Sequence, residues 1–212
     1  MFHLTFIGII ALIIFFFILG NKKTKKQVRY EYIESYDFHT GIHKKLAQKH
    51  PQLTEEQLNL VFTGLKHFFQ ICCEENRQMV VMPSQVVDDA WHEFILFTES
   101  YGQFCDHAFG RFLHHTPAEA MDSPSQAKEG IKRAWQSACT IEQINPKIPT
   151  SLPLLFAIDD LLKIDNGFIY RLDCFKDDSG NAYCASHIGS SAPGCDSGGC
   201  GGGCGGGCGG GC

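Results

Sequence analysis

The sequence predicts a mainly α protein with an N-terminal transmembrane helix, a helical bundle domain, a small β-hairpin and a disordered Cys/Gly-rich tail. Three observations predict this architecture. The first 21 residues are almost wholly apolar and contain no Lys, Arg, Asp or Glu. Residues 54–69 open with a helix-capping signature and continue with apolar residues at helical spacing. The chain ends in Cys200-Gly-Gly-Gly-Cys204-Gly-Gly-Gly-Cys208-Gly-Gly-Gly-Cys212, from which no packed core can be made.

Residues 1–21 have the length that a helix needs to span a bilayer, about 20 residues. A cleaved signal peptide would require a basic segment before the apolar run and a small-x-small cleavage site. Only the amino terminus and His3 precede the run here, and it leaves through Leu19-Gly20-Asn21, so an uncleaved anchor is favoured. Residues 22–29 form a basic juxtamembrane linker with Lys22, Lys23, Lys25, Lys26 and Arg29. By the positive-inside rule this flank is cytoplasmic, which places the N-terminus outside and the C-terminal domain in the cytoplasm. Membrane lipid is then the first expected partner, with anionic head groups facing the lysines. In that reducing compartment structural disulfides are rare, so the 11 cysteines are expected to be thiols.

No acidic residue precedes Glu31, and residues 30–212 carry a formal charge of −10. A nucleic-acid partner needs a basic face, so none is expected. Residues 30–165 suffice for one helical domain with its own core. A helix, or two short ones broken near Thr40-Gly41, spans 31–49. Thr54 and Gln57 form a capping box for a helix over 54–75, whose apolar face is Leu58, Val61, Phe62, Leu65, Phe68 and Phe69. Ser84 caps a helix over about 85–108, with Val87, Trp91, Phe94, Thr98, Tyr101 and Cys105 along one side. Further helices are expected over 125–141 and 154–164. Residues 166–188 read as a hairpin module, two β-rich runs around the turn-forming cluster 176–181. Residues 189–212 are the tail, expected to be disordered without a ligand.

The densest group of chemistry-bearing residues starts on the 85–108 helix. Asp88 and His92 stand at i and i+4 and share a face, so the carboxylate can orient the imidazole, a usual arrangement behind a metal ligand. His114 and His115 follow a break at Gly110, where the chain can fold back towards His92. Imidazoles and a carboxylate together suit zinc or another transition metal such as iron. The alternatives are a hydrogen-bonded histidine at a helix–helix contact and an exposed His-His pair. A second group, Cys174, Cys184, His187 and Cys195, has the composition of a Cys3His zinc site but not the spacing of paired Cys-x-x-Cys knuckles. Cys72, Cys73 and Cys139 read as core thiols or their neighbours, and Cys105, on an apolar stripe, as an inert buried thiol. In the tail, Cys200, Cys204, Cys208 and Cys212 are candidate soft-metal ligands. Ordering that backbone would cost on the order of 13–26 kcal/mol, at ~1–2 per residue, against ~10–16 kcal/mol from one structural zinc. A tethered thiol array fits better than one rigid site.

The block Asp88-Asp-Ala-Trp-His-Glu-Phe-Ile-Leu96, followed by Thr98-x-x-Tyr-x-x-Phe-Cys105 and Phe109-Gly-x-Phe-Leu-His-His-x-Pro117, resembles the glycine-rich domain-containing protein-like family of plants and bacteria. The resemblance implies a Trp-His core within a helical region and a bacterial, membrane-anchored member, and supplies no mechanism. RNA binding, suggested for some plant relatives, is not carried over to so acidic a chain. The function expected is therefore a membrane-anchored, non-enzymatic module that binds metal or exchanges thiols. The alternatives are an assembly module that binds a protein partner without metal, and an enzyme using His92 with Cys105 or a metal.

Overall fold

A computed structural model describes residues 23–116, 124–172, 183–185 and 188. Among them lie seven helices and one pair of two-residue strands. The helices are α1 (Lys25–Ser35), α2 (Thr40–Lys49), α3 (Glu55–Glu75), α4 (Gln85–Leu96), α5 (Thr98–Ala108), α6 (Pro124–Ile141) and α7 (Leu154–Leu161). The expected anchor over 1–21 and the tail over 189–212 lie outside the described residues. No helix among the described residues is long and apolar enough to cross a membrane.

Helix α3 is the centre of the bundle, packed by α1, α4, α6 and α7. Its start matches the expectation: the Thr54 hydroxyl accepts from Gln57 N, and the Gln57 side chain accepts from Thr54 N. Such a cap contributes about 1 kcal/mol. Leu65, Phe68, Phe69 and Ile71 are fully buried on it.

Three expectations are corrected, and α7 ends at Leu161 rather than 164. The basic segment is no linker from Lys25 onward, because Thr24 and Gln27 form a second capping box and helix α1 begins there. The helix lies on the bundle through fully buried Ile33. Tyr30 Oη donates to Glu74 Oε2 at 2.8 Å, Gln70 donates to Glu34 at 3.0 Å, and Lys26 pairs with Glu74. Periodicity alone cannot reveal partners on another helix.

The single helix expected over 85–108 is two. Phe97, at φ −86° and ψ 64°, ends α4 and begins α5. Its ring stands where a Cβ on Gly41 would meet it at 2.9 Å, so a glycine at the start of α2 makes room for the break. The bend folds α5 back on α4. Phe94 then meets Tyr101 and Phe104 at ring-centroid distances of 5.2 and 5.3 Å, and Phe38 of the α1–α2 connection at 5.2 Å.

The expected hairpin is replaced by a parallel pair. Strand β1 (Tyr170–Arg171) pairs with β2 (Tyr183–Cys184) in the register Tyr170↔Tyr183 and Arg171↔Cys184. Parallel neighbours cannot be joined by a tight turn and need a long connection. The turn-forming cluster 176–181 lies outside the described residues. Tyr170 stacks edge-on against Phe156 of α7, centroids 4.9 Å apart, which seats the pair on the helical domain.

Two buried carboxylates hold the start of α4. Ser84 caps the helix as expected, accepting from Val87 N at 3.2 Å. Asp159 of α7, 3% exposed, accepts from Ser84 Oγ (2.7 Å), Gln85 N (2.7 Å), Val86 N (3.2 Å) and Phe168 N (2.9 Å). Asp89 accepts from Lys49 Nζ at 2.6 Å and lies 2.8 Å from His50 Nε2, fastening α2 to α4. Helix α6 approaches the 79–81 segment at Gly130, where a Cβ would stand 2.7 Å from a Val81 methyl.

Candidate metal centre

Helix α4 sends Trp91 inward and His92 outward, while Asp88, one turn earlier, lies beneath both. The side chain of Asp88 is 6% exposed and that of His92 46%. His92 Nδ1 lies 3.4 Å from Asp88 Oδ2, the i, i+4 geometry expected. The second imidazole comes from the chain after α5: His115 Nε2 lies 3.0 Å from Asp88 Oδ1, with its side chain 10% exposed. The two imidazole rings are 4.3 Å apart. One ligand atom from each of Asp88, His92 and His115 falls within 4.8 Å of the others, a set that could hold a metal ion.

What brings His115 to α4 is a relay that the sequence did not disclose. Trp91 Nε1 donates to Tyr101 Oη at 3.1 Å, and Tyr101 Oη donates to Leu113 O at 2.5 Å. Trp91, Tyr101 and Leu113 are all buried. The phenol thus accepts from α4 and donates to the backbone two residues before His115. The indole ring also packs edge-on against His115, centroids 4.5 Å apart. Trp91 and Tyr101 read only as members of an apolar stripe in the sequence. Their spacing of ten residues gives no signal, because the bend at Phe97 creates the contact.

Among the other candidates, His114 is exposed, with its ring 4.9 Å from Phe112, and does not join Asp88, His92 and His115. Cys105 is fully buried, and burial pushes its thiol pKa up, as expected of an inert thiol. Of the second group only Cys184 is described, and it is disulfide-bonded. A sulfur held in a disulfide is not a thiolate ligand. Cys174, His187 and Cys195 lie outside the described residues, as do Cys200, Cys204, Cys208 and Cys212. Cys72, expected as a thiol, is also disulfide-bonded, whereas Cys73, Cys105 and Cys139 are free.

The buried thiols set a pH dependence. Burial raises the Cys139 pKa to about 11, and an unfolded cysteine titrates near ~8.5. The folded state therefore keeps its proton after the unfolded state has lost one. That contribution is fully present below pH ~8.5 and is lost as pH rises towards 11. Cys105 adds in the same direction. Denaturation midpoints are expected to fall from about pH 8.5 upward, and Cys139→Ala should flatten that fall while leaving the midpoint's trend below pH 8 unchanged.

The expected membership of the glycine-rich domain-containing family is overturned by comparison of the whole chain with family models. No curated protein and no solved structure is detectably similar to the chain. The family model that matches is UCP032817-like, over residues 28–188. This stretch takes in α1 from Val28 onward, helices α2 to α7, the strand pair and all three residues of the candidate centre, and leaves out the Cys-Gly repeat. The chain therefore belongs to the UCP032817-like family.

Proposed function

We propose that the protein is a metal-binding module whose centre is Asp88, His92 and His115, held at a membrane by the apolar segment before Lys22. The observation that carries this reading is the convergence of a carboxylate and an imidazole one turn apart on α4 with a second imidazole from the chain after α5. Each side chain lies in a supported position: Asp88 on a helix turn, His115 against Trp91, His92 one turn above Asp88. Two imidazoles and a carboxylate suit zinc or iron, and the borderline character of imidazole argues against calcium or magnesium.

Full-length protein purified in detergent is expected to take up one Zn2+ at this centre. His92→Ala and His115→Ala should each lower its affinity by about 100-fold or more, since removing only a partner behind a ligand already costs 10–100-fold. Calorimetric titration and elemental analysis after dialysis check this. Equal zinc content in wild type and both variants would refute the reading. Zinc held elsewhere in the chain is distinguished because it does not depend on His92 or His115.

The disulfide-bonded Cys72 and Cys184 favour an oxidising compartment for the folded domain, opposite to the side inferred from the lysine cluster. Thiol-specific mass tagging of protein trapped from cells is expected to leave Cys72 and Cys184 untagged until reduction. Tagging of both without reductant would restore the cytoplasmic placement.

A further inference from the structure

Resting on the metal-centre reading, we infer that the metal keeps one exchangeable position, open on the His92 side and filled by water, hydroxide or another small anion. Asp88, His92 and His115 supply three donors, and among the described residues no fourth His, Cys, Asp or Glu joins them. Zinc sites closed by protein have four ligands, and those with three keep a position for water or an external ligand. The two polar aromatic groups behind the site are already engaged. Trp91 Nε1 donates to Tyr101, and Tyr101 Oη donates to Leu113 O, so neither is directed at the ligand set. His114 stands exposed beside Phe112.

The burial is one-sided. Asp88 and His115 side chains are 6% and 10% exposed, whereas that of His92 is 46% exposed. A ligand can therefore enter beside His92 and not from behind Asp88. The charge balance selects its class. A divalent ion with one carboxylate and two neutral imidazoles keeps a net charge of +1, and a half-buried positive charge favours one anionic ligand.

The test loads three full-length proteins with Co2+ and titrates each with sodium azide while recording visible absorption. The three are wild type, the variant Cys200→Ser, Cys204→Ser, Cys208→Ser, Cys212→Ser, and His92→Ala, whose half-exposed position leaves the core intact. The bands at issue are those lost in His92→Ala. They are expected to shift saturably with azide in both other proteins, at unchanged Co2+ content and without thiolate charge transfer. Bands that azide does not move would overturn the open position. So would a thiolate charge-transfer band that is lost both in His92→Ala and in the serine variant, which would mean that a tail cysteine fills it. Failure of the metal-centre reading is distinct: no Co2+ band depends on His92, and the inference falls with it.

Discussion

Asp159→Ala is expected to lower the unfolding free energy by on the order of 3–5 kcal/mol, since each buried donor left without its acceptor costs about 1–3 kcal/mol. The carboxylate accepts four hydrogen bonds, from Ser84 Oγ, Gln85 N, Val86 N and Phe168 N. Three of these donors belong to the start of α4, where backbone N–H groups have no intrahelical acceptor. The fourth holds the segment that leads into β1. Ser84 keeps its own cap to Val87 in the variant, so the helix would form but lose its anchorage to α7. In a domain of this size the loss corresponds to a fall in Tm of roughly 10 °C. Thermal and urea denaturation followed by circular dichroism measure it. A change below 1 kcal/mol would mean that water replaces the carboxylate at no cost. Asp159→Asn keeps the shape and is expected to fall between the two, because its amide nitrogen cannot accept.

Trp91→Ala is expected to cost about 3–5 kcal/mol as a large-to-small change in a filled core, and to weaken metal binding as well. The indole is fully buried and packs against Phe68 and Phe69 at ring-centroid distances of 5.2 and 6.0 Å. It also backs His115 and donates to Tyr101. Tyr101→Phe separates the two effects. It leaves the aromatic volume in place and removes one oxygen, stranding the indole N–H and the Leu113 carbonyl, for about 1–3 kcal/mol. Because Leu113 lies two residues before His115, Zn2+ affinity should fall in Tyr101→Phe while the fold persists at 25 °C. Calorimetric titration beside urea denaturation reads both quantities. A stability loss without an affinity loss would show that Tyr101 only packs.

The disulfides change how the cysteines are understood. Composition and the lysine cluster together point to reduced thiols, and a string of cysteines separated by glycines suggests ligands wherever it stands. The free thiols Cys105 and Cys139 are fully buried, which leaves them as packing groups. Cys72 and Cys184 are in disulfides. The centre that could hold a metal uses no sulfur among the described residues.

Much of the helical domain was legible in the sequence because helix signals are local. The capping box at Thr54 and Gln57, the Ser84 cap and the apolar steps of α3 depend on residues within a few positions of one another. The pairing of Asp88 with His92 was legible for the same reason, one helical turn. The choice between His114 and His115 was not, since adjacent residues have the same composition signal and only the pinning of Leu113 by Tyr101 decides which ring turns inward. The break at Phe97 was equally hidden: the apolar stripe continues through it, and the space for the ring comes from Gly41, 56 positions away.

By itself, then, the sequence determined most of the helical segments, where α3 and α4 begin, that Asp88 and His92 share a face, and that Cys105 is buried, but not that α1 starts inside the basic segment. Tertiary structure alone decided that α4 and α5 fold back on each other, that the short strands run parallel, that Asp159 serves as acceptor for a helix start 75 residues earlier, and that His115 completes the candidate centre. The division follows the range of the interactions. Periodicity and capping are written within a turn or two of helix, whereas hydrogen bonds between distant polar groups form only after the helices have packed, and no spacing encodes them.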